Sequence, residues 1–182
     1  MHVAIAAVET SSIAQGAVTA DAMMKVAEVE ILGLGPLSPG KFWILIGGEV
    51  ANVRASYRRG VEVAAETLLD SLFIPQLHEG VLPALRGVVA PRDDDALGVI
   101  ETLTAASAVV AADRAAKAAA VTLRDLRLAN GIGGKGVVWL SGDVADVQAA
   151  VDAGRAEPSR QGLLSRSIVI PRLHPELKTR LL

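Results

Sequence analysis

The chain has 182 residues, a formal net charge of −2 and no cysteine. Such a balance offers no broad basic field for nucleic acid, and missing thiols exclude disulfides, thiol catalysis, zinc thiolate sites and ordinary iron–sulfur ligation. Hydrophobic residues make up 51% and aromatics 3%, while charge-free stretches such as 102–112 reach only 11 residues, short of the roughly 18–20 that a membrane span needs. No basic region precedes an apolar segment at the N-terminus, so the expectation is a soluble, cytoplasmic protein without a secretory signal.

In chain order, residues 1–9 carry Val3, Ile5 and Val8 among alanines and predict a strand. Ser11 and Ser12 offer an N-cap, after which Ile13, Ala17, Ala20, Met24 and Ala27 recur at helical spacing. Residues 29–34 are β-branched and apolar, a second strand. The run 33–40 holds three glycines and two prolines and predicts a break, since neither a helix nor a central strand tolerates it. Residues 42–46 form a third strand. Glu49 then opens a helix carrying Val50, Val53, Tyr57, Val61 and Ala65, its carboxylate complementing the helix dipole. A fourth strand at 72–74 stops at Pro75, and a helical tail follows at 79–85. The second half predicts strands at 97–101, 121–128, 137–140 and 167–170, helices at 105–119 and 144–156, and a tail at 175–181. Pro91-Arg92-Asp93-Asp94-Asp95 marks the junction between domains expected at 1–90 and 95–182.

The two halves repeat one another. Val8-Glu9-Thr10 with Ala20-Asp21 and Lys25 returns as Ile100-Glu101-Thr102 with Ala112-Asp113 and Lys117, 92 residues later. Lys41 with Gly48-Glu49-Val50-Ala51 and Gly60 returns as Lys135 with Gly142-Asp143-Val144-Ala145 and Gly154, at an offset of 94. Ile74-Pro75-Gln76-Leu77-His78 returns as Ile170-Pro171-Arg172-Leu173-His174, at an offset of 96. That period is too long for a solenoid and fits a duplicated domain. Each half reads strand–helix–strand–strand–helix–strand. The fold class is therefore α+β: two tandem ferredoxin-like (β-α-β-β-α-β) domains, each an antiparallel four-stranded sheet with helices on one face. A duplicated domain lets a threefold ring imitate sixfold shape.

With these blocks in order, the sequence resembles the shell proteins of bacterial microcompartments, in their tandem, unpermuted class. The most specific stretch is Ala96-Leu97-Gly98-Val99-Ile100-Glu101-Thr102 leading into Ala111-Ala112-Asp113-Arg114-Ala115-Ala116-Lys117. The resemblance implies a homotrimeric, pseudohexagonal, single-layer tile with a central pore for small polar metabolites. It implies as partners other shell proteins, namely single-domain hexamers and pentameric vertices, together with encapsulated enzymes. It implies no catalytic residues, no cofactor and no metal. Family tiles carry on their edges a lysine from the first helix and an arginine after the fourth strand. Lys25, Lys117 and Arg172 match by position; Gln76 replaces the arginine in the first half, so packing between tiles would be directional. Otherwise these are solvated surface side chains.

In the family, the loop before the third strand faces the symmetry axis. The expected pore lining is Leu37, Ser38, Pro39 and Gly40 from one half, and Gly131, Ile132, Gly133 and Gly134 from the other. Glycines expose backbone N–H groups and a serine hydroxyl both donates and accepts, so such a ring would favour polar or anionic metabolites; the plain alternative is a tight turn. One branch of tandem shell proteins places a cysteine at the Ser38 position, where three copies hold an iron–sulfur cluster. Serine is a hard, weakly acidic ligand, so no cluster is expected here.

Other motifs carry less. Gly131–Gly136 lacks the spacing of a phosphate loop and precedes a strand. His78 and His174 occupy equivalent positions beside prolines and suit turns or caps better than metal binding. Glu9 and Glu101 sit at strand ends, where backbone donors satisfy a carboxylate. No nucleophile–base–orienter set emerges. Two rival readings are a trimeric small-molecule sensor on the same fold, which would not tile, and a duplicated ferredoxin-like enzyme, which would need a clustered acid–base pair.

Overall fold

The computed structural model describes residues 4–90 and 96–181, so the junction run 91–95 lies outside the described residues. The first repeat comprises β1 (Ala4–Thr10), α1 (Ile13–Val26), β2 (Glu30–Leu37), β3 (Lys41–Gly48), α2 (Val50–Ala64), β4 (Leu68–Ile74) and α3 (Val81–Leu85). The second comprises β5 (Ala96–Thr102), α4 (Ala105–Ala118), β6 (Thr122–Leu128), β7 (Gly136–Gly142), α5 (Val144–Arg160), β8 (Leu164–Ile170) and α6 (Pro175–Leu181). Two antiparallel four-stranded sheets result, ordered β2-β3-β1-β4 and β6-β7-β5-β8. Even their irregularities repeat. Bulges fall between Glu9 and Thr10 and between Glu101 and Thr102, and again between Ile31 and Gly33 and between Leu123 and Asp125.

Strand alternation sets the core. Ala4, Ala6 and Val8 of β1 and Phe42, Ile44 and Ile46 of β3 form one cluster with Met23 of α1 and Val53 of α2. Ile5, Ala7 and Glu9 therefore point to the helix-free face. Local chemistry fixes the helix starts: the Ser12 hydroxyl accepts from the Gln15 N–H at 3.2 Å, and the Glu49 carboxylate accepts from Ala51 and Asn52 at 3.0 and 3.2 Å. Small residues bring the helices close. A Cβ on Gly154 would lie 2.6 Å from Ile100 Cδ1 and 2.8 Å from the Ala111 carbonyl oxygen.

The structure departs most from the expected elements at β2, β4, β8 and α5. β2 continues through the predicted break to Leu37, with Pro36 paired opposite Phe42. β2 is an edge strand, where the donor that proline lacks is not needed. The turn proper is confined to Ser38–Gly40, closed by a Gly40 N–H to Leu37 carbonyl bond of 3.0 Å. β4 and β8 begin at Leu68 and Leu164, ahead of the expected 72 and 167, because Leu68, Asp70 and Ser71 pair with β1, and Leu164 and Arg166 with β5, at the opposite edges. α5 runs past the expected 156 to Arg160, since Pro158 falls in its last turn and forfeits only the bond to Gly154.

The chain divides into two compact units that exchange small pieces. One takes the chain up to Leu77 together with Thr104–Ala106 and Ala129–Gly134; the other takes His78–Leu103, Ser107–Leu128 and the chain from Lys135 onward. Inside the second unit, α3 packs against β6.

Candidate functional site

The two loops expected to line a pore meet within the first compact unit. The Ser38 N–H donates to Asn130 Oδ1 at 3.0 Å. Lys41 Nζ donates to the Gly134 carbonyl at 3.3 Å. A Cβ on Gly134 would stand 2.9 Å from Pro39 Cδ and 3.1 Å from the Ser38 carbonyl oxygen, so only glycine admits this approach. The second loop needs further left-handed backbone, at Gly131 (φ 76°) and Gly133 (φ 66°). Pro39, Gly40, Gly131 and Gly133 are exposed, Ser38 and Ile132 are half-buried, and Leu37 and Gly134 are buried beneath them.

Lys41 anchors this assembly. Its ammonium pairs with Glu9 at 2.8 Å, and the Glu9 side chain has no exposed surface. The same carboxylate accepts the N–H groups of Ala105 and Ala106, at 2.8 and 3.3 Å, capping the first turn of α4. Beside it the Thr104 hydroxyl donates to the Asp70 carboxylate. Sequence reasoning left Glu9 to backbone donors and missed its lysine. The available signal was that Glu9 and Lys41 both return, as Glu101 and Lys135, and this second pair also forms, at 3.0 Å with both residues half-buried. Asn130 was missed as well, and no counterpart in the first repeat announces it.

The expected edge residues are more dispersed. Lys25 pairs with Asp21 one helical turn earlier at 2.6 Å, with both side chains exposed. Lys117 repeats the arrangement with Asp113 at 2.7 Å. There Asp113 is buried and also accepts the His78 N–H at 2.8 Å. Gln76 and Arg172 are exposed on the turns after β4 and β8. His78 and His174 serve those turns in the same way: each Nδ1 accepts the N–H two residues on, from Gly80 at 3.1 Å and Glu176 at 3.3 Å. Among the described residues, no group of three or more His, Cys, Asp or Glu is arranged to hold a metal ion, and no helix is long and apolar enough to cross a membrane.

The BMC domain family matches residues 4–77 and again residues 96–173. The chain belongs to that family. It is 41% identical over 177 residues to the bacterial microcompartment shell protein PduT of Citrobacter freundii, covering 97% of this chain and 96% of the relative. The shell protein EutM of Salmonella typhimurium matches over 84 residues at 40% identity, which is 46% of this chain and 85% of EutM. Among solved structures, a microcompartments protein from Desulfitobacterium hafniense DCB superimposes with a TM-score of 0.87 at 44% identity, covering 98% of this chain and 99% of that one. Two BMC domains in tandem thus account for the repeat.

Proposed function

We propose that the protein is a structural, non-enzymatic component of a bacterial microcompartment shell in the cytoplasm. In this reading it assembles as a homotrimer whose two domains, 1–90 and 95–182, make a pseudohexagonal tile around a central pore. The observation that carries the reading is the joining of the two loops: Ser38 to Asn130 at 3.0 Å and Lys41 to Gly134 at 3.3 Å. Each repeat contributes one loop to a shared surface of backbone amides and one hydroxyl, the composition expected of a pore rim. Leu37, Ser38, Pro39 and Gly40 would alternate with Gly131, Ile132, Gly133 and Gly134 around the axis, with Leu37 and Gly134 backing the rim. The Ser38, Gly40, Ile132 and Gly134 N–H groups are taken up within the loops, so the Ser38 hydroxyl and the remaining backbone groups of the rim would admit small polar metabolites in preference to apolar ones.

Function is then geometric. Lateral contacts through Lys25, Lys117 and Arg172, with Gln76 as the odd member, extend the tile into a wall with single-domain hexamers, and pentamers close its vertices around the encapsulated enzymes. A lysine or arginine suits this task because its stem lies along a neighbouring tile while its cation finds carbonyls or carboxylates there. Native mass spectrometry and electron microscopy test the whole: a particle three times the 18.8 kDa chain, entering sheets alone or with a single-domain shell partner, is expected. A monomer or dimer at every concentration, or particles that never tile with any shell partner, overturns it.

A further inference from the structure

Repeat symmetry pairs α2 with α5 and β4 with β8, and the strand register bears this out. Ser71 lies opposite Val8 as Ser167 lies opposite Ile100, and Phe73 opposite Ala6 as Val169 opposite Gly98. The places held by Arg54, Tyr57, Ser71 and Phe73 in the first repeat therefore fall to Gln148, Val151, Ser167 and Val169 in the second.

In the first repeat the wedge between helix and outer strand is filled. The Tyr57 and Phe73 rings stack with their centroids 5.9 Å apart. The Arg54 guanidinium lies over the Phe73 ring, 5.2 Å from its centroid. The Tyr57 and Ser71 hydroxyls hydrogen-bond at 3.0 Å. This wedge thus holds a phenol anchored on a serine.

In the second repeat two valines replace the two rings, and the serine stays. A cavity of about 190 Å³ opens between α5 and β8, lined by Gln148, Val151, Asp152, Arg155, Ser167 and Val169. Its rim is polar and ordered: Arg155 pairs with Asp152 at 2.9 Å, and the Gln148 amide donates to the same carboxylate at 3.0 Å. Spaced at i, i+4 and i+7, these three share one face of α5. The paired charges cancel, so the rim favours a neutral ligand over an ion of either sign. The volume falls below the roughly 300–1,000 Å³ of drug-sized sites and suits a single ring.

We infer that the α5–β8 cavity binds a phenol, carried by a free small molecule or by a tyrosine side chain of a partner protein. The ring lies on Val151 and Val169, and its hydroxyl meets Ser167 as that of Tyr57 meets Ser71. Arg155 covers the ring face as Arg54 covers Phe73. A phenol ionises only near about pH 10, so it enters uncharged at neutral pH.

The tyrosine side-chain analogue p-cresol is the probe, titrated into the full chain with isotope-labelled valine methyls. Saturable shifts of the Val151 and Val169 methyl resonances are expected. Toluene, which lacks the hydroxyl, should bind roughly tenfold more weakly, the weight of one hydrogen bond. Ser167→Ala should weaken p-cresol by a similar factor and leave toluene unchanged. N-acetyltyrosinamide distinguishes the sources: the same methyl shifts assign a partner's tyrosine, and none, beside a p-cresol response, assigns a free phenol. Val151→Tyr/Val169→Phe rebuilds the first repeat's filling and should abolish p-cresol binding in saturation-transfer spectra, with unchanged circular dichroism. Unshifted Val151 and Val169 methyls, toluene binding as tightly as p-cresol, or a Ser167→Ala chain that binds p-cresol undiminished overturns the phenol site.

Discussion

Replacing Glu9 with alanine isolates the contact on which the loop assembly depends. The wild-type carboxylate is fully buried, 2.8 Å from a Lys41 ammonium that is itself only 17% exposed, and it accepts two N–H groups from α4. Glu9→Ala removes the counter-charge of a nearly buried cation and uncaps a helix in one step. Breaking a buried pair from one side costs about 3–5 kcal/mol and losing a cap about 1 kcal/mol. Because both penalties act through one carboxylate they overlap, and a total of about 4 kcal/mol is expected. For a chain of this length that lowers Tm by roughly 8–16 °C, read by differential scanning calorimetry at fixed protein concentration. Glu9→Gln keeps an acceptor for α4 but not the charge, so it should lie between wild type and alanine. The double variant Glu9→Ala/Lys41→Met should recover part of the loss, since no charge remains buried. A fall of less than about 2 °C for Glu9→Ala, or strict additivity in the double variant, would refute this account of the pair.

Other perturbations probe the packing and the proposed tile. Gly154→Ala pushes a methyl against the Ala111 carbonyl and should cost about 1–3 kcal/mol in urea unfolding. Gly60→Ala meets chiefly the flexible Met23 side chain, so it should cost less, and the reverse ranking would contradict the packing described. Ser38→Cys, supplied with iron and sulfide, should acquire a visible iron–sulfur absorption if three copies of this loop meet on an axis; a colourless protein would argue against that placement. Arg172→Ala should reduce sheet formation in electron micrographs while native mass spectrometry still reports the trimer, and undiminished sheets would remove Arg172 from the edge.

How far the sequence reveals the fold depends on the range of each cause. Helix starts were legible because their causes are local: Ser12 caps a bond three residues away, and Glu49 reaches Ala51 and Asn52. The sheet pattern was legible because it is written twice and each copy checks the other. The extension of β2 through Pro36 was not, since a strand's tolerance of proline depends on its place at the sheet edge, which only the assembled order reveals. The loops could be named from the resemblance, but their joining could not. Ser38 and Asn130 are 92 residues apart, and nothing in either neighbourhood marks the other as its partner. The span from Glu9 to Ala105 is longer still, at 96 residues.

Duplication gives this chain a freedom that a single-copy domain lacks. In a ring of identical domains every loop must serve both as donor and as acceptor at its junctions, so a residue tuned for one role burdens the other. Here Ser38 offers the N–H and Asn130 the accepting oxygen, while the close approach of Gly134 to Pro39 fixes a spacing that two identical loops need not share. Helix starts diverge likewise: Ala105, at the start of α4, is small and fully buried, whereas Ile13, at the start of α1, is large and 47% exposed. The Glu9 side chain is fully buried against Lys41, whereas the Glu101 and Lys135 side chains are 34% and 43% exposed. That difference in solvation leaves Glu101 and Lys135 with a desolvation cost, on any burial, that Glu9 and Lys41 have already met in folding.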